Sequence, residues 1–588
     1  MSAVLEARES GMLYSAPTPL VRDFDVVATA SSGIERVRQL ALALAVQGLI
    51  VEQIPCDGDA DELLRSVRKR KAEMFAAGLA KRDKPFHPID ESEFPHSLPN
   101  GWRWTRLGDL LIKIGAGSTP LGGREVYTNT GVKFLRSQNV WNSGLSLNDV
   151  ALIPAAVHEK MSGTKVLAGD LLFNITGASI GRCAIVPDDF DEGNVSQHVT
   201  ILRPAMPEMR SFLHLVLISA RVQQTVMDVQ VGVSREGLSI AKLSQFLIPI
   251  PPLAEQRRIV ARVEELMKLC DALEQSGRLA DEQHARLTSA LFDALAASES
   301  AHGLAENWRR VAEHFDLLLD RPDAVDAFEQ AIAQLAVRGL LMPQIASDEP
   351  ADALLQRLRT RRPPAYARTS SQAATTEVPA PPYELPNAWS WAALDELVEN
   401  MGSGWSPACD EGERSDTNRW AVLRTTAVQV MEYRSREHKT IPLRLNPRPD
   451  IEVRRGDVLI TRAGPLNRVG ISCWVDETPP RLMLSDKIVR FHPTADEMLP
   501  AFLVLALNAG WTRDQLEAAK TGMAASQVNI SQADLRRLLL PVCSKSEQRR
   551  IVARVEELRL LCSKLRNRLA KASEVQSNLA NALVAEIA

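Results

Sequence analysis

The sequence predicts an α+β protein with an internal pseudo-twofold repeat, in which two α/β domains are separated by a pair of long antiparallel coiled-coil helices. Three observations predict this class: anchor segments that each occur twice, short β-prone runs between the anchors, and a long heptad-patterned segment that closes each copy. The chain has 588 residues, which is enough for several domains, and its charged fraction of 24% is ordinary for globular proteins.

Three anchor segments carry the repeat. The first is EQRRIVARVEELMKLC at residues 255–270, which returns at 547–562 with fourteen of sixteen positions identical. The second is LPNGWRW at 98–104, which returns 287 residues later as LPNAWSW. The third is AVQGLIVEQI at 45–54, which returns 291 residues later as AVRGLLMPQI. A spacing this long indicates a domain duplication rather than a solenoid array.

The duplicated unit spans residues 34–297 and 325–588. A duplicated unit can fold as a pseudo-twofold dimer that presents one surface twice, and a duplication that only adds stability is the alternative. The predicted domains are an N-terminal extension with short helices (1–97), a first variable domain (98–250), a long helix (251–297), short helices with a Pro-rich linker (298–384), a second variable domain (385–541) and a second long helix (542–588).

The two variable domains have strand character. Short β-prone runs such as residues 171–175 and 458–461 are bounded by Gly, Asn or Asp. Each domain also has one helical stretch near its end, at 209–229 and 500–520. We therefore expect mostly antiparallel α+β domains.

The long helices carry one apolar seam each. In the first helix the seam is Ile259, Val263, Leu266, Cys270, Leu273, Gly277, Ala280, His284, Leu287 and Leu291, and in the second it is Ile551, Val555, Leu558, Cys562, Leu565, Leu569, Ala572, Leu579 and Leu583. This is the a/d pattern of a coiled coil, sustained over about five heptads. Because a narrow seam needs a partner, we expect the two helices to pair with each other, with packing of each helix on its own domain as the alternative. We expect His284 to be a tolerated or paired histidine rather than a metal ligand.

This arrangement resembles the specificity subunit of type I restriction-modification enzymes. The resemblance rests on two variable domains, each opened by LPxxWxW and closed by a Pro-flanked helix that begins EQRRIV, and it covers all but about the first 30 residues. It implies that the variable segments are target recognition domains and that the helices are spacers that dock partner subunits. The implied partners are double-stranded DNA, two methyltransferase subunits that use S-adenosylmethionine, and two restriction subunits that use ATP and Mg²⁺.

The chain itself shows no motif for catalysis. Pro381-Pro382-Tyr383 follows Ala380, which cannot accept the hydrogen bond that an adenine methyltransferase turn supplies. No GxxxxGK[ST] motif, no HExxH motif and no CxxC pair occurs. The nearest imitation of a nuclease motif is DIEVR at 450–454, where arginine stands at the lysine position. We predict a non-catalytic subunit that has no metal site and no cofactor of its own.

Candidate base readers are polar residues on glycine-punctuated loops, because Arg pairs with guanine and Asn or Gln with adenine. In the first domain they are Arg136, Ser137, Gln138, Asn139, Asn174, Thr176, Ser179, Arg182, Ser196, Gln197, His198 and Arg235. In the second domain they are Arg424, Thr425, Thr426, Thr461, Arg462, Arg468, Ser485 and Lys487. We expect Trp102, Trp104, Trp389 and Trp391 to be core anchors rather than stacking platforms. Since both domains are nearly balanced in charge, we expect modest DNA affinity from this chain alone.

The remaining expectations concern location and competing functions. Residues 1–14 carry acidic side chains without an apolar core of a signal peptide, and the longest apolar stretch, 40–51, is too short to span a bilayer. We therefore expect a cytoplasmic protein without membrane contact. The competing functions are a recognition subunit of a methylation-only or phage-exclusion complex without a nuclease, and an assembly scaffold without base readout.

Overall fold

The structure is a computed structural model that divides into two units. It describes residues 22–79, 86–120, 122–230, 237–361, 380–410, 412, 414, 416–494 and 497–585. Unit 1 comprises Met1–Ala280 and Ala572–Ala588, and unit 2 comprises Asp281–Lys571.

Unit 1 combines short helices with a set of short strands. Its helices are α1 Phe24–Thr29, α2 Gly33–Gln47, α3 Ala60–Ala76, α4 Ala155–Lys160, α5 Arg210–Ile218, α6 Ala220–Gln230, α7 Ile240–Leu243 and α8 Leu253–Ala296, the last of which contributes residues 253–280. Its strands are β1 Arg103–Arg106, β2 Leu111–Ala116, β3 Val132–Leu135, β4 Val140–Trp141, β5 Gly144–Leu145, β6 Ala151–Ile153, β7 Lys165–Val166, β8 Leu171–Asn174, β9 Cys183–Ile185, β10 Gly193–Val195, β11 Val199–Pro204 and β12 Leu247–Ile250.

Unit 1 has one core between two four-stranded sheets and a larger core between the antiparallel sheet and the helices. The first sheet has the order β2-β11-β8-β9 and is antiparallel throughout, and the second has the order β6-β3-β10-β7 with β3 and β10 parallel. Alternate residues of the strands point into the core between the two sheets, where Leu135, Leu172, Val195 and Ile201 are fully buried. Strand β1 pairs with β12, so the two ends of the variable segment meet.

Unit 2 contains the same kinds of element in the same chain order. Its helices are α9 Ala301–Glu313, α10 Phe315–Leu318, α11 Pro322–Val337, α12 Ala351–Arg361, α13 Leu394–Leu397, α14 Pro500–Asn508, α15 Gly510–Ala518, α16 Gln532–Arg537 and α17 Lys545–Ala585, the last of which contributes residues 545–571. Its strands are β13 Ser390–Ala393, β14 Val398–Ser403, β15 Ala421–Leu423, β16 Val428–Gln429, β17 Glu432–Tyr433, β18 His438–Thr440, β19 Val458–Thr461, β20 Ala463–Gly464, β21 Ser472–Trp474, β22 Leu482–Met483, β23 Ile488–Pro493, β24 Thr521–Ala524, β25 Gln527–Asn529 and β26 Leu539–Val542.

The sheets of unit 2 match those of unit 1 in order. The antiparallel sheet is β14-β23-β19-β21, the mixed sheet is β18-β15-β22 with β15 and β22 parallel, and β13 pairs with β26. Unit 2 also has a three-stranded sheet, β20-β25-β24, and the described residues of unit 1 contain no counterpart of it. The α+β class predicted from the sequence is confirmed.

Each long helix packs on a short helix of the same unit. In unit 1, Ile259 and Val263 of α8 share a core with Ala45 and Val46 of α2. In unit 2 the corresponding seam residues, Ile551, Val555 and Cys562, are buried with residues of α11, and Leu558 and Leu565 pack against the same core while partly exposed. These contacts agree with the alternative in which each helix packs within its own unit, and pairing of the two long helices with each other stays a prediction.

The predicted heptad seam is buried over only part of its length. Leu287 is 55% exposed and Leu579 is 47% exposed, whereas Thr288, Phe292 and Leu295 are buried. Burial therefore follows the predicted seam from Ile551 to Leu569 and again at Leu583 in α17, whereas in α8 it moves by one position beyond Leu273. A seam over about five heptads in both helices stays a prediction. A straight helix repeats every 3.6 residues and drifts by about 20° per heptad, so the buried stripe moves off a strict seven-residue register.

The histidine predicted on this seam has two polar neighbours in unit 2. The His284 Nε2 atom lies 2.9 Å from the backbone oxygen of Leu317 and 3.2 Å from a carboxylate oxygen of Asp320. His284 is half-buried, which agrees with a paired histidine. Among the described residues, no group of three or more His, Cys, Asp or Glu side chains could hold a metal ion, and no helix is long and apolar enough to cross a membrane.

Candidate nucleic-acid interface

Unit 1 brings three of the predicted loops together at one end of its sheets. We call residues 136–139, 175–182 and 196–198 loop cluster 1, because they follow the ends of β3, β8 and β10. The backbone N–H of Ser196 donates to the oxygen of Leu135 at 2.9 Å, and that of Ile175 donates to the oxygen of His198 at 3.0 Å. Loops that sequence reasoning placed far apart in the chain therefore form one surface.

Asn174 holds loop cluster 1 in place. Its side-chain amide donates to the backbone oxygen of Ser137 at 2.8 Å and to the hydroxyl of Ser179 at 3.1 Å. The Thr176 hydroxyl and His198 Nδ1 form a further hydrogen bond of 2.5 Å. Because a buried amide is stabilising only when it is hydrogen-bonded, these contacts fix the three loops relative to one another.

Unit 2 has the corresponding arrangement. We call residues 424–427, 462–471 and 485–487 loop cluster 2, which follows β15, β19 and β22. The backbone N–H of Arg462 donates to the oxygen of Lys487 at 2.8 Å, and the Arg468 guanidinium donates to the oxygen of Thr425 at 2.8 Å. All the residues predicted for the second domain lie in this cluster or, for Thr461, at the end of the strand that leads into it.

Five predicted base readers are buried. Their exposed fractions are between 0% and 6%, and they are Asn139, Asn174, Ser196, Thr461 and Ser485. A buried side chain cannot reach the edge of a base, so their prediction as base readers is corrected: these residues position the loops. Asn139 shows this role, since its amide donates to the backbone oxygen of Ser146 at 2.9 Å while its oxygen accepts from the N–H of Arg136.

The other predicted residues are accessible. Gln138, Gln197, His198, Thr426 and Lys487 are exposed, and Arg136, Ser137, Thr176, Ser179, Arg182, Arg424, Thr425 and Arg462 are partly exposed. Several of these side chains also have protein partners, as Gln138 does with the Asp149 carboxylate at 3.0 Å and Thr426 with the Glu437 carboxylate at 2.6 Å. Arg235 lies outside the described residues.

Arg468 is a clamp within loop cluster 2. Its guanidinium donates to the side-chain oxygen of Gln429 at 2.9 Å and to the backbone oxygens of Thr425 and Val428 at 2.8 and 2.6 Å. Burial lowers the pKa of this arginine from its usual value. Two nitrogens of the Arg468 guanidinium therefore bind the protein's own loop, and a role of Arg468 in base reading stays a prediction.

The sequence prediction missed one residue beside loop cluster 1. Trp141, on the hairpin formed by β4 and β5, has 44% of its surface exposed, and the Arg182 guanidinium lies over its ring. The sequence contains a pattern that could have identified it. The β-prone run VWNSGL predicts a hairpin with an aromatic residue next to its turn.

The repeated anchor segments meet at a buried carboxylate in each unit. In unit 1, Glu255 of α8 accepts a hydrogen bond from the indole N–H of Trp102 at 3.1 Å and one from the amide of Gln53 at 2.6 Å. Burial raises the pKa of Glu255, while the two hydrogen bonds act in the opposite direction. A Cβ atom at Gly48 would lie 2.8 Å from the Trp102 ring, so glycine is required where α2 ends beside this contact.

Unit 2 repeats this contact with its own anchors. Glu547 accepts from the indole N–H of Trp389 at 3.0 Å and from the amide of Gln344 at 2.8 Å, and burial raises its pKa as well. Trp102 and Trp389 are 2% and 5% exposed, which confirms that they are core anchors. The constant segments of the sequence therefore join the long helix to the strand that opens each variable segment.

Two features that could suggest catalysis, the thiol of Cys473 and the segment 450–454, have structural surroundings that account for them. Burial raises the pKa of Cys473 to about 12, so its thiol remains protonated at neutral pH. In the segment that imitates a nuclease motif, the backbone oxygens of Asp450 and Glu452 accept hydrogen bonds from the Arg490 guanidinium at 3.1 and 2.6 Å.

Comparison with known proteins gives consistent matches. Residues 99–281 match the family model of the type I restriction modification DNA specificity domain. The chain is 36% identical over 567 residues to the type I restriction enzyme EcoEI specificity subunit of Escherichia coli, covering 94% of this chain and 93% of that protein. It is 28% identical over 579 residues to the EcoAI specificity subunit of the same species, with the same coverage.

A solved structure also matches over most of the chain. The crystal structure of the HsdS subunit from Thermoanaerobacter tengcongensis is 20% identical, covers 84% of this chain and 98% of its own, and gives a TM-score of 0.39. Sequence identity of 36% over nearly the full length of both proteins, rather than this structural match, decides the family. The chain belongs to the family of specificity subunits of type I restriction-modification enzymes, which provides the DNA sequence recognition of these systems.

Proposed function

We propose that this chain reads a bipartite DNA target through loop clusters 1 and 2, one half-site each, and holds methyltransferase and restriction subunits on its long helices. The observation that carries the proposal is that each unit places a polar loop cluster after corresponding strands of its antiparallel and its mixed sheet. Two similar readers in one chain suit a target of two separate half-sites.

Readout would depend on the accessible side chains. Gln138, Gln197 and His198 in loop cluster 1, and Thr426 and Lys487 in loop cluster 2, are exposed and can reach base edges or phosphates. The buried residues described above would set the register of these loops. Because free energy spent on ordering loops weakens binding, loops that are already hydrogen-bonded favour recognition.

Partner subunits would supply the remaining charge and all of the chemistry. The chain has 69 Lys and Arg residues against 73 Asp and Glu residues, so we propose that much of the neutralisation of DNA phosphates comes from basic surfaces on other subunits. We propose two methyltransferase subunits with S-adenosylmethionine and two restriction subunits with ATP and Mg²⁺. In this proposal the chain has no cofactor of its own.

The long helices would act as the spacer between the two half-sites. α8 has 44 residues and α17 has 41, which corresponds to about 60–66 Å at 1.5 Å per residue. An insertion of seven residues into each helix adds about 10 Å, or about three base pairs of DNA. We expect such a variant to lose the original site and to modify, in part, a site with a spacer three base pairs longer.

The test is a map of modified adenines across the genome in cells with and without this gene. We expect a single bipartite sequence to lose its modification when the gene is deleted and to regain it on complementation. A matched control is complementation with a chain that carries Lys160→Ala, since Lys160 is exposed on α4, outside both loop clusters and the long helices. An unchanged modification pattern after deletion would contradict the proposal.

The same system separates the two competing functions. If modification depends on the gene but phage DNA is not cleaved, a methylation-only or exclusion complex is favoured. If the complex containing this chain binds all duplexes with equal affinity, the chain is an assembly scaffold without base readout.

A further inference from the structure

The hairpin of β4 and β5 presents an aromatic side chain in a fixed orientation. The indole N–H of Trp141 donates to the backbone oxygen of Gln138 at 2.9 Å. The next residue, Asn142, accepts a hydrogen bond on its side-chain oxygen from the backbone N–H of Cys183 at 3.0 Å. Because the hairpin is bonded to segments on both sides, the Trp141 ring stands at a defined position beside loop cluster 1.

Arg182 is stacked on this ring. The central carbon of its guanidinium lies 3.7 Å from the ring centroid of Trp141. Stacking of this kind holds the guanidinium plane while its N–H groups remain able to donate in that plane. In the part of the chain that the structure describes, this guanidinium has neither a carboxylate partner nor a hydrogen-bond acceptor.

Unit 2 differs at the corresponding position. Gln429 follows Trp141 by 288 residues and occupies the same place on the hairpin formed by β16 and β17. There, Arg468 from the loop after β19 donates to the Gln429 side chain and to two backbone oxygens. The arginine beside the hairpin in unit 2, Arg468, therefore donates to the protein itself, whereas the guanidinium of Arg182 in unit 1 has no hydrogen-bond acceptor among the described residues.

We propose that Arg182, oriented by Trp141, reads one guanine in the half-site bound by loop cluster 1. Guanine offers O6 and N7 as two acceptors in one plane in the major groove, which matches an arginine held flat with its donors unpaired. A phosphate can accept the same donors but does not require the guanidinium plane to be fixed. Arg182 is then a specificity residue, and Trp141 is a positioning residue. This inference rests on the proposed function.

The experiment measures sequence preference with the full chain in complex with its methyltransferase partner. A duplex library randomised at the target is methylated, and the products are sequenced. The variants are Arg182→Ala, Arg182→Lys, Trp141→Ala and Trp141→Phe. The control is Lys160→Ala, which removes one exposed positive charge from α4, outside loop cluster 1. Thermal unfolding of each variant is measured in parallel.

We expect Arg182→Ala to lower the preference for guanine at one position of the first half-site by about tenfold or more, without restoration by Arg182→Lys. Trp141→Ala should lower the same preference severalfold, Trp141→Phe should retain most of it, and Lys160→Ala should leave it unchanged. A uniform loss over all sequences that Arg182→Lys restores would identify a phosphate contact and overturn the inference. An unchanged preference in Arg182→Ala would overturn it as well.

The same data distinguish this inference from the proposed function. If the unaltered complex shows sequence preference and Arg182→Ala keeps it, only the role of Arg182 is wrong. If the unaltered complex shows no sequence preference at all, the proposed function fails and the inference fails with it.

Discussion

Loop clusters 1 and 2 follow corresponding strands in the two units, but the arginine beside each cluster makes different contacts. Arg182 of unit 1 stacks on Trp141, whereas Arg468 of unit 2 donates three hydrogen bonds to Gln429 and to its own loop. The carboxylates of Glu255 and Glu547, by contrast, have the same two kinds of donor in both units.

This difference separates two kinds of residue in the chain. Residues that join the long helix to the variable segment are the same in both copies, because a buried carboxylate without its donors is costly. Residues at the loop surface differ, because the sheet below them does not depend on their identity. One scaffold can therefore carry two different readers.

The largest expected effect tests whether the two units share the same helix packing. Val263 and Val555 are each 2% exposed, and an aspartate there would place a charge in an apolar core. We expect Val263→Asp and Val555→Asp each to lower the free energy of unfolding of their unit by more than about 3 kcal/mol. The measurement is thermal or urea unfolding of the full chain.

The control variants lie two positions earlier on the same helices. Ala261 and Ala553 are exposed, so Ala261→Asp and Ala553→Asp add the same charge to the opposite side of the helix. They should change the stability by less than about 0.5 kcal/mol. Equal effects of the buried and exposed substitutions would contradict the packing described for α8 and α17.

The next prediction compares the loss of stability on replacing Arg468, which is hydrogen-bonded within unit 2, with the loss on replacing Arg182. Arg468→Ala leaves the oxygens of Gln429, Thr425 and Val428 without their donor, and we expect a loss of about 2–3 kcal/mol of stability. Arg182→Ala removes no side-chain hydrogen bond within the described residues and loses only the contact with the Trp141 ring, so it should cost about 0.5–1 kcal/mol. Urea unfolding measures both variants. Similar losses in the free energy of unfolding of the two variants would contradict the conclusion that Arg468 stabilises its loop and Arg182 does not.

The smallest effect concerns pH and the carboxylate that is repeated in both units. Trp389→Phe removes one donor to Glu547, whose pKa burial already raises above the ordinary 4.5. The ionised carboxylate then lacks a hydrogen bond, and we expect the variant to lose about 1–2 kcal/mol at pH 7 in addition to a pH-independent packing change. As pH falls below the raised pKa of Glu547, the carboxyl becomes protonated in the folded variant and in the folded unaltered chain, so this part of the loss should disappear.

The sign follows from the direction of the shift. A folded pKa above the unfolded one means that stability decreases as pH rises through the interval between them, and removal of a donor widens that interval. Unfolding of the variant and of the unaltered chain between pH 4 and 8 gives the difference directly. Trp102→Phe should behave in the same way because Glu255 has the same surroundings in unit 1. A difference that is constant with pH would contradict the role of these indoles.

The sequence allowed prediction of the fold class and of most of the loop residues. Repeated segments located the anchors, and glycine-punctuated strand ends located the loops that meet in each unit. The burial of individual loop residues was not predictable. Asn174 and Thr461 are of residue types that suit base reading, but their side chains face the interior. Side-chain direction at the end of a strand depends on register, which a single sequence does not fix.

The helix seam shows a second reason for incomplete prediction. Ile259 and Ile551 are buried as expected, but beyond Leu273 of α8 the buried stripe leaves the heptad register, while Leu583 of α17 is still buried. A seven-residue pattern and a 3.6-residue pattern agree over two heptads and diverge over five. Trp141 was not predicted because its contact with Arg182 is what marks it as part of the site. The two residues are 41 positions apart, so the sequence does not show this contact.

The most direct test of two independent readers is a domain exchange. Residues 98–250 are replaced by a copy of 385–541 in the full chain, and modified adenines are mapped in cells that contain the partner subunits. Two copies of the second reader should produce modification of an inverted repeat of the second half-site, with the first half-site absent from the pattern. Retention of the original first half-site would contradict the assignment of one loop cluster to each half-site.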